Sequence, residues 1–419
     1  MNTELVPARA AKLPNSLLAL TLSLSVCANV AAITLNPGDI IVADENAFGN
    51  VGAIFKVDPA CGPLPRPQEI ISSSGGFVDP EWVVLDADGT LLVSDLNARA
   101  IYRVNPALPY PANQTTVSSG QYFVQPRGIA LRSDGSILVA DNNAVGGGGA
   151  IIRVDPSASP FANQTIFAQD GPFVDPAALA LRANGDVFVV DWHAGDAGKA
   201  AVIQVDSTGM QKTIRFEWDS LAGIASDSAG RVLLTDPMGK KVLRVNPASA
   251  DPVSGVWQEY EILSEAGLLA QPWGITTDDA GQIFITDYDA LPVGGAKGAV
   301  IKIDPATCTQ APISWGGEFE SPAGILIVPT PDSDGDGVPN GDDACPGTPP
   351  GAIVDFDGCS IDQLVPCAGP AAGGVWKNHG KYVSSVAKAA QDFLNAGLIT
   401  EDQKDQIVGA AAESKCGKK

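Results

Sequence analysis

Between residues 37 and 329, apolar positions fall in runs of about five, each closed by an aspartate: IIVAD (40–44), LLVSD (91–95), ILVAD (137–141), VFVVD (187–191), VLLTD (232–236) and IFITD (283–287). Short apolar runs bounded by turn residues predict strands rather than helices. A second strand-like run follows each: AIFKVDP, AIYRVNP, AIIRVDP, AVIQVDS, KVLRVNP and AVIKIDP. Five units also open with a strand that leads into a tight turn: PEWVVLDADG, PRGIALRSDG, PAALALRANG, LAGIASDSAG and PWGITTDDAG. A fourth, poorer strand such as QEIIS or QTIFA fills each interval. The aspartates recur at 51, 46, 50, 45 and 51 residues, and four short antiparallel strands in that length make one propeller blade. The first unit lacks its opening strand, and PAGILIV (322–328) supplies it from the far end. The predicted fold class is therefore all-β: a six-bladed β-propeller over residues 33–329, zipped shut where the segment around Ile325 meets the one around Ile41. Such closure removes the free sheet edges.

These units, with Pro-x-Gly-Ile-Ala, a Gly-containing turn and Val-Ala-Asp in register, resemble the NHL family of six-bladed propellers over about 290 residues. Blades two (Trp82-Val83) and four (Pro176-Ala177-Ala178) depart from the Pro-x-Gly opening. Gluconolactonase–regucalcin proteins and streptogramin lyases share the blade count, an analogy of fold and not of site.

Charge narrows the partners. Lys plus Arg total 26 against 48 Asp plus Glu, a net charge of −22. That field repels phosphate backbones, so nucleic acid is not expected as a partner. Positive residues before the apolar run 17–26, then Val30-Ala31-Ala32, read as a secretory signal peptide over 1–32. A lipoprotein signal ending at Cys27 is disfavoured by Val26. No membrane span is expected in the mature chain, and the expected location is secreted, periplasmic or extracellular. Six cysteines then remain, an even number suited to three disulfides. Cys61 and Cys308 lie just beyond the same strand of blades one and six, which predicts a disulfide across the seam.

Residues 332–359 read DSDGDGVPNGDDACPGTPPGAIVDFDGC. Asp332, Asp334, Asp336, the Val338 carbonyl, Asn340 and Asp343 occupy loop positions 1, 3, 5, 7, 9 and 12, with Gly337 at the sharp turn. Hard oxygen ligands in that order suit Ca²⁺. The segment is similar to a thrombospondin type-3 repeat, placed here at 330–366. The resemblance implies a structural calcium role for Asp332, Asp334, Asp336 and Asp343, with Cys345–Cys359 closing the unit.

Residues 367–419 predict a helical hairpin: an amphipathic helix in YVSSVAKAAQDFLNAG, then a second from Glu401 to about Ser414 behind a Thr400/Gln403 capping box. Cys367–Cys416 follows by exclusion. His379, in WKNHG, is expected to pack or cap.

Chemistry, if any, belongs at the propeller's top face, where opening loops and the ends of the Asp-terminated strands meet. Glu81, Arg127, Asp191, Trp192, His193, Trp273 and Asp287 are the candidate ligand-binding residues there. A recurring Asp has a structural reason too, since it can accept N–H bonds of the following turn. The expected function is a secreted binding or scaffold protein whose unknown protein, glycan or small-molecule ligand meets this face. The alternative is a metal-dependent lactonase, esterase or lyase at the channel mouth, with Glu81, Asp191 and Asp287 as ligands or His193 as base. Catalytic residues are not assigned.

Overall fold

The computed structural model describes residues 32–182, 185–215, 219–227, 229–246, 260–290, 297–338, 340, 343–349, 351–370, 373–396 and 398–418. The expected signal peptide, apart from Ala32, lies outside them.

Six four-stranded antiparallel sheets form the propeller. All six Asp-terminated strands occur at the expected residues, Ile40–Asp44 through Ile283–Asp287, and all are buried along their length. Closure is by Pro322–Ile327, which pairs with Ile40–Asp44 so that Ile41 faces Leu326 and Val42 faces Ile325. The six opening strands touch one another in sequence around the axis. Hydrophobic clusters lie between blades: Ile41 and Ala43 of blade one pack with Val83 and Leu91 of blade two.

The Pro-x-Gly opening has a steric cause. A Cβ on Gly128 would stand 2.7 Å from the Ala178 Cα, and one on Gly324 2.7 Å from the Trp82 Cα. Glycine lets adjacent inner strands approach, and its absence in blades two and four is matched by glycine on the facing strand.

A second repeated device lies at the outer strands. Gln68, Gln114, Gln164, Gln211 and Gln310 take the same register position, with Tyr260 in blade five. Each amide reaches the neighbouring blade: Gln114 Nε2 donates to Ser72 Oγ and the Ser74 carbonyl, both 2.9 Å, while its Oε1 accepts from Gly76 N–H at 2.7 Å. Across the closure, Gln68 donates to the Gly316 carbonyl and accepts from Glu318 N–H. At the Gln211 clamp the corresponding residue is Pro172, which has no N–H, and the buried Gln211 Oε1 has no partner.

The predicted Cys61–Cys308 disulfide is not formed. Cys308 is a free, exposed thiol in a turn, and Cys61 is already disulfide-bonded. The 61–68 segment docks on blade six at Ile313–Gly316, through Arg66 N–H to the Ile313 carbonyl and the Gln68 clamp. That contact lies at the opposite end of the strand Thr309–Trp315 from Cys308.

Beyond the propeller, Cys345–Cys359 and Cys367–Cys416 are both present. The hairpin helices run His379–Asn395 and Glu401–Glu413 around a core of Trp376, Tyr382, Val386, Phe393 and Ala411. The first begins three residues before the predicted start because the Asn378 side chain caps it, accepting from Lys381 N–H. The Thr400/Gln403 capping box is formed. Trp376 Nε1 donates to the Pro366 carbonyl, and both His379 ring nitrogens face carbonyls, those of Cys416 and Ala412. WKNHG is thus a packing and capping element.

Candidate functional site

One backbone irregularity builds the propeller mouth. In the opening strands the register slips just after the proline: Pro80 faces Asp95 while Trp82 faces Ser94, and Pro126, Pro176, Pro272 and Pro322 show the same bulge. A bulge re-aims a side chain. The residues after these prolines are Ala323, Glu81, Arg127, Ala177 and Trp273, with Ala222 in the corresponding place of blade five. A second ring comes from the residue after each repeat aspartate: Glu45, Leu96, Asn142, Trp192, Pro237 and Tyr288. In five blades it is pinned by one recurring bond, such as Tyr288 N–H to the Gln271 carbonyl and Trp192 N–H to that of Asp175.

Four of the seven candidates come together there. Arg127 Nη1 meets Glu81 Oε1 at 2.5 Å, and its guanidinium lies 4.6 Å over the Trp192 ring. Trp192 meets Trp273 edge-on, and Trp273 stacks on Tyr288 at 4.6 Å between ring centroids. The Tyr288 hydroxyl donates to Glu45 Oε1, and Asp79 lies within electrostatic reach of Glu45, Glu81 and Arg127. Glu45, Asp79 and Tyr288 were missed by sequence reasoning. The signal was available: each stands immediately after a repeat aspartate or immediately before an opening proline.

Electrostatics set this cluster apart. Glu81 is 2% exposed, and burial holds its carboxyl well above the ordinary range despite Arg127. Burial also pushes Glu45 up to about 7 and Asp79 up to about 6. The Tyr288 hydroxyl is raised as well, by burial and then by Glu45. Glu81 Oε2, Arg127 Nε and Trp273 Nε1 are buried without a partner.

Asp191 and Asp287 are engaged elsewhere. Asp191 accepts N–H bonds from Val174, Asp175 and His193, and Asp287 from Ala270, Gln271 and Asp289. They tie each strand end back to the loop that opens the same blade. His193 is more than half exposed, and its Nδ1 is held by Asp175. Beside it, a pocket of about 350 Å³ is lined by Trp192, His193, Asp219, Met238, Gln271 and Trp273.

A separate acidic cluster lies in the loop after the propeller. Ligand oxygens of Asp332, Asp334 and Asp336 fall within 4.8 Å of one another, the one such trio among the described residues. Gly335 and Gly337 N–H groups donate to Asp332, and Gly347 and Thr348 N–H groups to Asp334 Oδ2. Gly337 has φ of 93°, the left-handed turn its position requires. Asn340 Oδ1 accepts from Ser333 N–H, Val338 N–H donates to Asp336, and Asp343 accepts from Cys345 N–H. Asp334 Oδ1 and Asp336 Oδ2 are left buried with no partner. Two orphaned carboxylate oxygens turned inward, in an all-oxygen donor set, fit a hard divalent cation.

No family model matches the chain, and no curated protein matches it. Among solved structures, a nidogen–laminin complex aligns with TM-score 0.53 at 15% identity, over 69% of this chain and 97% of the other. Virginiamycin B lyase from Staphylococcus aureus aligns with TM-score 0.48 at 14% identity, over 72% and 89%. A protein described as a gluconolactonase aligns with TM-score 0.43 at 13% identity, over 57% and 79%. The first likeness agrees with the propeller fold seen directly in the sheets.

Proposed function

We propose that this chain is an exported ligand-binding propeller whose mouth takes a polar ligand between Trp192, Trp273 and the Glu81–Arg127 pair. One observation carries the reading: buried donors and acceptors at the mouth, Glu81 Oε2, Arg127 Nε and Trp273 Nε1, have no partner among the described residues. Buried polar atoms are ordinarily satisfied, and a cluster left open beside an aromatic-lined pocket suits a ligand. The facing Pro-x-Gly contacts support the NHL resemblance of residues 33–329. The orphaned oxygens of Asp334 and Asp336 support the thrombospondin type-3 reading of 330–366, with Ca²⁺ held by Asp332, Asp334, Asp336, Val338, Asn340 and Asp343. Two disulfides beyond the propeller favour an oxidising compartment, in keeping with a signal over 1–32. In this reading 367–419 is a capped helical module of its own.

The binding test is a glycan and small-molecule screen read by tryptophan fluorescence on the full mature chain. A hit should be lost in Trp273→Ala and weakened at least tenfold in Trp192→Ala; a hit indifferent to both places the ligand elsewhere. Elemental analysis should find one calcium per chain, absent after Asp334→Ala.

A second reading, a lyase or esterase at the mouth, draws on the His193–Asp175 contact. Asp175 holds Nδ1 and leaves Nε2 as the free nitrogen of a pocket-lining base. Its metal-assisted form loses support, because Asp191 and Asp287 spend their oxygens on backbone N–H groups. Turnover of any lactone abolished by His193→Ala, with binding intact, would favour it.

A further inference from the structure

Above about pH 7 the mouth is not neutral, because Glu45 and Asp79 have by then lost their protons. Glu45 of blade one and Asp79 and Glu81 of blade two lie within electrostatic reach of one another, and Arg127 acts on all three. Asp79 Oδ2 also accepts from Asn97 Nδ2 at 2.7 Å. Arg127 gives Nη1 to Glu81 and its guanidinium face to Trp192, and keeps only Nε buried without a partner among the described residues. Glu81, 2% exposed, keeps an oxygen with no donor. Beside these carboxylates stand the stacked Trp273 and Tyr288 rings and the edge-on Trp192.

A metal ion does not suit the place. Among the described residues only the Asp332 trio brings three carboxylate oxygens within 4.8 Å, and the mouth carboxylates do not. Aromatic walls are poor metal ligands. They do favour an organic cation, through the negative faces of the rings. The vacant acceptor on Glu81 asks for an N–H donor, and excess negative charge in a low-dielectric site favours a cationic one.

We infer that the propeller mouth binds an organic cation bearing N–H donors, a primary ammonium or guanidinium group. The charged head meets Glu45, Asp79 and Glu81, and the attached carbon skeleton lies against Trp273 and Trp192. This deepens the mouth-binding reading and rests on it. Glu45, half-buried and bonded to Tyr288, is the more accessible carboxylate, and Glu81 the more deeply buried one.

Three probes of one shape and different charge test it: phenethylamine, 2-phenylethanol and phenylacetate, titrated calorimetrically into the full mature chain at pH 8. Phenethylamine should saturate and bind at least tenfold more tightly than either of the others. Glu45→Gln, checked for folding by circular dichroism, should weaken phenethylamine at least tenfold and leave 2-phenylethanol within twofold. Equal or tighter binding of the alcohol or the acid overturns the cation inference, and if Trp273→Ala abolishes that binding the mouth reading survives. Phenethylamine binding untouched by Trp273→Ala overturns both. No saturation by any probe up to about 1 mM, a practical ceiling a thousandfold weaker than a micromolar complex, overturns the cation inference alone.

Discussion

Glu45, Asp79 and Glu81 at the propeller mouth and Asp332, Asp334 and Asp336 in the loop beyond it are both trios of carboxylates, held in opposite ways. At the mouth, burial raises all three carboxyls, and the Arg127 guanidinium, joined at Glu45 by the Tyr288 hydroxyl, offsets part of the cost. In the loop, backbone N–H groups do the holding, and the bond from Thr348 N–H draws Asp334 below the ordinary carboxylate range. The difference is one of solvation. The mouth carboxylates are buried among side chains and, among the described residues, receive only side-chain donors, from Tyr288, Asn97 and Arg127. A glycine-rich loop stays near water and turns several N–H groups toward its acids. The first arrangement is disposed to a proton or an organic cation, the second to a compact divalent ion.

The largest effect should come from breaking the Glu81–Arg127 pair. Glu81→Ala leaves a buried guanidinium uncompensated, which costs about 3–5 kcal/mol. Urea unfolding of the propeller should show that loss, and Glu81→Ala combined with Arg127→Ala should recover part of it. In the loop, Asp334→Ala should leave the propeller transition where it is. A loss below about 1 kcal/mol for Glu81→Ala would mean that the pair is solvated, and the contrast with the loop would fail.

Calcium removal is the complementary test, acting on the loop alone. At a concentration a hundred times its dissociation constant, a ligand bound only to the folded state contributes about 3 kcal/mol. Chelation should lower a calorimetric transition of the region beyond residue 330 by that order and leave the propeller's transition in place. A propeller transition that moved with chelation would put a metal at the mouth and erase the distinction.

How much of this could be read from the chain differs between the two clusters. The loop is local: Asp332, Asp334 and Asp336 sit at alternate positions in one segment, so spacing alone brings them together. The mouth is assembled from residues more than 200 positions apart, such as Glu45 and Tyr288. The repeat placed the six aspartates and the closing strand, because periodic apolar runs and strand pairing share one register. It did not show the bulge after each opening proline, which depends on sheet geometry and leaves no composition signal. Glu81, Arg127 and Trp273 were found by position in the repeat, whereas Glu45 and Tyr288 fell one residue beyond the strand end where attention stopped. Asp191 and Asp287 joined the candidates because a carboxylate at the mouth looks available until its three N–H partners are placed. The Cys61–Cys308 pairing failed for a related reason. Cys61 is bonded elsewhere, and the segment it opens docks at the end of Thr309–Trp315 away from Cys308.

The smallest effect is the most diagnostic, because the two clusters should answer pH with opposite sign. Glu45 rises from an ordinary 4.5 to about 7 and Asp79 from 3.8 to about 6, so the folded propeller holds these protons more firmly than the unfolded chain does. Their contribution is complete below about pH 4 and is lost as pH climbs to 7. Taken in full the two shifts amount to about 4 kcal/mol between pH 5 and 8. Solvent screening of these half-buried groups reduces that, so the propeller should be less stable at pH 8 by about 1–2 kcal/mol. Asp44, also raised to about 6 by burial, adds in the same direction. Asp334 is lowered, so its contribution is present above about pH 4 and lost only in more acid solution. Melting curves from pH 5 to 8 should thus slope downward for the propeller and stay level for the calcium-loaded loop. Glu45→Gln removes one titrating group and should flatten the propeller's slope. If Glu45→Gln keeps the full slope, Glu45 titrates in water like any surface acid, and the dry mouth on which the comparison rests is not there.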